Sequence, residues 1–283
     1  AVTANGTLGS PMDAVLQIAV PNPRSLRKPR DVFVLDTNDD ESGMDPLLVF
    51  TAPEDGTYLL RMFGFPAVPN SSIRFSGGDT YVYRLSVTTG GYVDHAEPLA
   101  LAASAERPSV QLAGWNLNQN DTAVEVQPVS AGSFTWMSLG DRAGQACVRW
   151  EPHQVVVADP NVDPEVGQPI SSPVTICGRI DKPGASNVYA FDAEKGAKLT
   201  IAVESYALGF ALDPRIRILA EDGSTLATAD DNRTDRDPVM AFTARTAGRG
   251  CESRSTIRRS SSSSGYGTTS FSRKRSSWAS GSG

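Results

Sequence analysis

The chain predicts an all-β protein built as antiparallel sandwiches in tandem, and three observations predict it. Apolar and polar residues alternate in short bursts, while the i, i+3, i+4 spacing of a helical face is nearly absent. Glycine-bearing turn signals punctuate the bursts at Glu54-Asp55-Gly56, Gly77-Gly78-Asp79, Glu194-Lys195-Gly196 and Glu221-Asp222-Gly223. Part of the chain also occurs twice. Leu8-Gly9 with Asp13 and Ile18 returns as Leu208-Gly209 with Asp213 and Ile218. Thr37, Asp39 and Asp40 return as Thr228, Asp230 and Asp231; Asp45-Pro46, Phe50-Thr51-Ala52 and Gly56 return as Asp237-Pro238, Phe242-Thr243-Ala244 and Gly248. A unit repeated at this spacing argues for a modular, extended protein rather than one catalytic globule.

The elements follow in order. Residues 15–20, 58–63 and 81–87 read as strands of the first copy, and 188–191, 199–203 and 216–219 as strands of the second. Many short strands about ten residues apart describe a sandwich with one face of each strand buried. The second copy opens with residues 173–191 and 199–205, which have no counterpart before Leu8, so the first copy is expected to lack its beginning. With no initiator Met and no signal peptide, the chain reads as a fragment or a processed product. Between the copies, residues 98–101, 110–117, 124–126 and 155–157 look like strands of a small separate sandwich. Ala158-Asp159-Pro160-Asn161-Val162-Asp163-Pro164 is a linker held extended by its prolines. The expected domains are residues 1–91, 92–157 and 158–250, followed by a Ser/Arg-rich tail over 251–283.

That tail has two readings. A stretch so poor in apolar residues is ordinarily disordered. It begins in the middle of a domain, however, where three core strands belong, and stopping there leaves an open edge. The preferred expectation is a shifted reading frame, since codons for residues 248–257 read two bases later can spell an alternating strand.

Composition narrows the function. The 283 residues, 40% hydrophobic, suffice for two or three small cores. The net charge is −6; from Cys251 onward the chain is +5 (six Lys or Arg against one Glu), which leaves −11 for the rest. An acidic body of this kind repels nucleic acid and anionic lipid and attracts divalent cations. No apolar run approaches the ~20 residues that span a bilayer. The three cysteines fit no metal spacing, and both a Cys147–Cys177 disulfide and free buried thiols stay open.

The landmarks from Val174-Thr175-Ile176-Cys177-Gly178-Arg179-Ile180 through Gly184, Tyr189-Ala190-Phe191, Gly196, Leu199-Thr200-Ile201, Asp213-Pro214, Gly223, Asp230-Asp231 and Asp237 to Gly248 resemble the bacterial pre-peptidase C-terminal domain. The first copy matches the later two thirds of that pattern, including Gly56-Thr57-Tyr58 and Tyr81-Val82-Tyr83-Arg84-Leu85. The middle unit, through Leu112-Ala113-Gly114-Trp115-Asn116-Leu117, resembles an immunoglobulin-like IPT/TIG domain. The arrangement looks like large secreted proteins of planctomycete-type bacteria. The resemblance implies jelly-roll-like sandwiches appended to secreted proteases and other exported proteins, without catalytic activity; in collagenases the related domain binds collagen and calcium.

In calcium-binding relatives the linker reads Glu-x-Glu-Pro-Asn-Asp and a Gly-Asp-x-Asp segment follows. Here Asp159 and Asn161 can stand in, with Asp163 as a substitute, but Val157 and Val162 replace two acids and Gly184-Ala185-Ser186-Asn187 carries none. Two or three oxygens fall short of the six or more that calcium takes. The second candidate is the repeated acidic set: Asp13, Asp39, Asp40 and Asp45 against Asp213, Asp230, Asp231 and Asp237. Turn capping by these carboxylates is the leading expectation and calcium coordination the alternative. His95 and His153, both near unit boundaries, are expected to be solvated loop residues rather than general bases. Trp115, Trp136 and Trp150 can form an aromatic ligand platform, although Trp115 sits in an apolar strand and suits a core. No Gly-x-Ser-x-Gly, His-Glu-x-x-His or phosphate loop is present.

The expected function is therefore a non-catalytic structural and adhesive module of a large secreted or cell-surface bacterial protein. It spaces or presents neighbouring domains of the parent chain and binds an extracellular protein or polysaccharide, with neither nucleic-acid binding nor membrane insertion. The alternative is the accessory C-terminal region of a secreted peptidase whose catalytic domain lies outside this chain.

Overall fold

The computed structural model describes residues 1–21, 32–68, 74–182, 184–210, 212–232, 236–244, 248–255 and 265–273. They form an all-β protein, 48% strand and 4% helix. Two compact units emerge, Ala1–Tyr92 with Gly209–Ala211, and Val93–Leu208 with Leu212–Gly283.

In the first unit, β1 (Val2–Thr3) is followed by a single helical turn α1 (Asn5–Leu8), β2 (Met12–Pro21), β3 (Val32–Asn38), β4 (Leu59–Pro66) and β5 (Arg84–Leu85). One sheet has the order β3-β2-β4 and the other pairs β1 with β5. All these pairings are antiparallel. Alternation in β2 buries Met12, Ala14 and Leu16 against Val2 and Ala4, with Leu48, Met62 and Tyr81 at the margin. Of the strand expected over 81–87, only Arg84–Leu85 pairs.

The second unit contains two cores. The first belongs to β6 (Tyr92–Glu97), β7 (Ala100–Ala102), β8 (Ser109–Trp115), β9 (Ala123–Glu125), β10 (Phe134–Met137), β11 (Ala143–Gly144) and β12 (Ala146–Glu151). They form sheets β10-β12-β7 and β11-β6-β8-β9. Val93, Val110, Leu112, Val148 and Trp150 fill the space between them. Gly144 carries φ +81°, and a Cβ there would stand 2.0 Å from the Val93 carbonyl oxygen, so only glycine lets β11 lie this close to β6. Strands β6, β10 and β12 come from sequence that gave no strand signal: Asp94-His95 and Arg149 interrupt the apolar alternation, and the burial comes from tertiary packing.

The second core belongs to β13 (Gln154–Val157), β14 (Gln168–Pro169), β15 (Val174–Ile180), β16 (Ser186–Ala193), β17 (Lys198–Glu204), β18 (Pro214–Leu219), β19 (Thr225–Ala229), β20 (Val239–Thr243), β21 (Gly248–Ser255) and β22 (Gly265–Arg273). Two five-stranded sheets, β13-β15-β22-β17-β20 and β14-β16-β21-β18-β19, pack over Val174, Ile176, Tyr189, Phe191, Ile201 and Ile216, among others. Two findings depart from the expected organisation. Residues 155–157, read from the sequence as a strand of the middle sandwich, lie in β13, which pairs parallel with β15 in the second sandwich. The stretch expected to be disordered or frame-shifted also supplies strands: β21 lies between β16 and β18, and β22 between β15 and β17. These central positions need a partner on both sides, and backbone hydrogen bonding fills them whatever the side chains. Residues 256–264 and 274–283, which hold Arg258-Arg259 and the serine run, lie outside the described residues.

Candidate functional site

The repeated carboxylates split into two groups that the sequence did not distinguish. Asp45 and Asp237 are buried, 7% and 4% exposed. Asp45 accepts the backbone N–H groups of Ala4 (3.0 Å), Asn5 (2.7 Å) and Gly6 (3.1 Å). Asp237 accepts those of Ser205 (3.0 Å), Tyr206 (2.9 Å) and Ala207 (2.8 Å). In each case three consecutive N–H groups open a helical turn, α1 around Asp45 and the 3-10 turn Tyr206–Leu208 around Asp237. The first amides of any helical turn lack internal partners, and a carboxylate satisfies them with charge-assisted bonds.

The other six acids cluster at the start of β2 and β18 and just beyond β3 and β19. Asp213, Asp230 and Asp231 bring carboxylate oxygens within 4.8 Å of one another. In the first copy burial raises the pKa of Asp13, and the negative charges of Asp40 and Asp39 raise it further. The two sets share one exposure pattern: the first Asp half-buried, the other two exposed. Three convergent oxygens offer part of a calcium shell. Arg215 already neutralises one of them, since its Nε donates to Asp230 Oδ2 at 2.9 Å and its Nη2 contacts the same oxygen.

The donors of the linker site are largely engaged with one another. Asp159 Oδ1 accepts from the Asn161 backbone N–H (2.9 Å) and from Asn161 Nδ2 (3.2 Å), and Asp163 Oδ1 accepts from the Glu165 N–H (2.9 Å). Linker and following segment do converge, around a cavity of ≈ 90 Å³ lined by Asp159, Gln168, Ser186 and Asn187 among others. Its side-chain oxygens are few and largely neutral, and the Gln168 amide is spent on Asp159 N and the Val157 carbonyl. This donor set does not fit calcium.

Both histidines are held in place rather than solvated. His95, 12% exposed at its side chain, lies 2.7 Å from Asp94 Oδ2 through Nδ1 and 3.4 Å from Glu97 Oε1 through Nε2. Burial pulls its pKa down, but hydrogen bonds to Asp94 and Glu97 and their charges outweigh it, so the net shift is upward. Glu97 is lowered, first by its bond to His95, against burial, with the Arg179 charge assisting. Arg179 bonds the same carboxylate. His153 Nε2 lies 2.9 Å from Thr175 Oγ1. A raised histidine pKa stabilises the fold below about pH 6.5, the unfolded value, and the contribution fades as pH rises through the folded value. The stability difference between the protein and a His95→Gln variant, measured by thermal melts from pH 5 to 9, should therefore be largest at the acid end and shrink above pH 6.5; a difference independent of pH would disprove this role.

Cys147 and Cys177 are free thiols, so the disulfide left open by the sequence is not formed; burial pushes the Cys177 thiol up to about 11. The tryptophans do not share a platform. Trp150 is fully buried with its Nε1 donating to Thr135 Oγ1 at 2.8 Å, Trp115 is half-buried, and Trp136 is 62% exposed beside Phe134 at 56%. Trp136, a sequence candidate, has as its exposed neighbour not another tryptophan but Phe134, two residues away on edge strand β10, a pairing the sequence reading missed. Period-2 alternation with Thr135 and the buried Met137 could have found it. No helix among the described residues is long and apolar enough to cross a membrane.

No family model and no curated protein matches the chain. Among solved structures it is similar to the pre-peptidase C-terminal domain of a collagenase from Bacillus anthracis, at 18% identity, over 39% of this chain and 99% of that one, with a TM-score of 0.32. It is similar to PliG of Aeromonas hydrophila, a periplasmic inhibitor of g-type lysozyme, at 10% identity over 43% and 100% of the two chains, with a TM-score of 0.30. The VP2 subviral particle of infectious bursal disease virus follows at 10% identity, over 92% of this chain and 56% of that one, with a TM-score of 0.18.

Proposed function

We propose that this chain is a non-catalytic structural and adhesive module of a secreted or cell-surface protein. It spaces neighbouring domains and binds an extracellular polymer. The observation that carries the reading is that the repeated buried carboxylates serve the scaffold: Asp45 and Asp237 each spend their oxygens on three backbone amides. A general acid or nucleophile needs an oxygen aimed at a reactant. The groups that could partner such chemistry are likewise engaged, His95 between two carboxylates and the Cys177 thiol held protonated by burial. Exposed Trp136 and Phe134 on one face of β10 supply a flat aromatic surface of the kind that stacks on sugar rings or apolar peptide side chains.

Retention of the full chain on immobilised collagen, cellulose and chitin tests it. We expect binding to at least one polymer, weakened about tenfold by Trp136→Ala, with no turnover of that polymer. Absence of retention on all three, or hydrolysis of any of them, would overturn the reading.

A further inference from the structure

The two copies share a three-stranded core arrangement but differ at one edge. In the second copy, β18 pairs with β19 on one side and β21 on the other, and β21 then pairs with β16. In the first copy, β2 pairs with β3 and β4 in the same places, and among the described residues no further strand pairs with β4. Leu16 of β2 faces Met62, and Ile216 of β18 faces Ser253. Aligned on this central strand, Leu60 takes the place of Cys251, whose partner on the far side is Tyr189 of β16.

The backbone of β4 is directed for the same pairing. Ala67 donates to the Pro11 carbonyl, so odd-numbered residues of β4 bond inward to β2 and even-numbered ones point outward. Ser76 N–H takes the Gly64 carbonyl on that outer side. The outward groups of Leu60 and Met62 have no backbone partner among the described residues. The core is thin at the same place. Strand β16 contributes buried Tyr189 and Phe191 to a core cluster of eleven buried residues, whereas the core cluster of the first copy holds five among the described residues, and Leu60 stands 40% exposed.

We propose that the outer edge of β4 at Leu60 and Met62 accepts one added antiparallel strand, from a polypeptide segment whose alternate residues are large and aromatic like those of β16. The partner is defined by what covers the equivalent edge in the second copy: an extended strand with an aromatic at the position of Tyr189, packing beside Leu60. Main-chain bonds to the edge supply affinity, and the aromatic entering the open core supplies selectivity, as in other strand-addition complexes.

A synthetic peptide with the sequence of Ser186–Ala193, titrated against the full chain, tests this directly, with amide exchange read residue by residue. The expected result is saturable one-to-one binding with exchange at Leu60 and Met62 slowed at least tenfold and exchange in β21 unchanged. A peptide carrying Tyr189→Ser and Phe191→Ser should bind at least tenfold more weakly. On the protein, Leu60→Asp removes the apolar contact and Met62→Pro removes an outward N–H, which an edge strand tolerates; both should abolish binding while far-UV circular dichroism stays unchanged. No protection of Leu60 and Met62 at saturating peptide, protection confined to β21, or the same amides protected by self-association without peptide would each overturn the proposal.

Discussion

Replacing Asp237 by alanine should destabilise the second sandwich by roughly 2–4 kcal/mol, and Asp45→Ala should cost the first unit a similar amount. The size follows from what each carboxylate leaves behind. Three amides lose a charged acceptor at 2.7–3.1 Å. The amides do not suffer equally. Ser205 and Ala4 are both 0% exposed, so their N–H groups stay dry, whereas Tyr206 and Asn5 are half-buried and Ala207 and Gly6 exposed, where water can replace the acceptor. One full desolvation penalty and two partial losses set the range, and the matching exposure sequence in the two copies sets the matching effect. Asparagine should not rescue either site. Both carboxylate oxygens are used in each copy, so one amide must then face an NH2 group, donor against donor. Urea denaturation of each variant measures the loss. A change below about 0.5 kcal/mol for the alanine variants, or full rescue by asparagine, would show that the cap is not what these residues are for. Against domain stabilities on the order of 5–15 kcal/mol, the predicted loss is large enough to lower the amount of folded protein.

The capping role was legible in kind and not in geometry. The recurrence of Asp-Pro at 45–46 and 237–238 pointed to a shared structural duty, and short carboxylates near turns usually cap. That the capped amides lie some 40 and 31 residues upstream could not be read, because capping across a sandwich depends on strand pairing and not on local spacing. The strands of the second copy were legible for the opposite reason: Leu199, Ile201 and Val203 alternate cleanly, and all three are buried in β17. The middle unit resisted reading where charged residues stand inside strands. Arg149 in β12 lies in ion-pair distance of Glu151 and donates through Nη1 to Glu204, which compensates the charge of a guanidinium that the alternation rule would keep out. The tail failed for a further reason: composition argues about side chains, whereas β21 and β22 hold their places by backbone pairing at the centre of both sheets.

Trp150 should be the costliest single truncation in the middle sandwich. It is the largest fully buried side chain, packed with Leu112, Val110 and Val148, and its indole N–H has a partner in Thr135 Oγ1. Alanine removes that volume from a core whose two sheets are held apart by it, which costs about 3–5 kcal/mol in comparable sites. Phenylalanine keeps most of the apolar contact and deletes only the donor, leaving the Thr135 hydroxyl to find water, so a loss of roughly 1–2 kcal/mol is expected. The order Ala worse than Phe, read from denaturation midpoints, separates packing from hydrogen bonding. Trp136, exposed on the neighbouring strand, provides the contrast: its alanine variant should fall within about 0.5 kcal/mol of the parent protein. If Trp136→Ala proved as damaging as Trp150→Ala, the division between a buried tryptophan that builds the sandwich and an exposed one free to meet a ligand would fail. The adhesive reading would lose its surface with it.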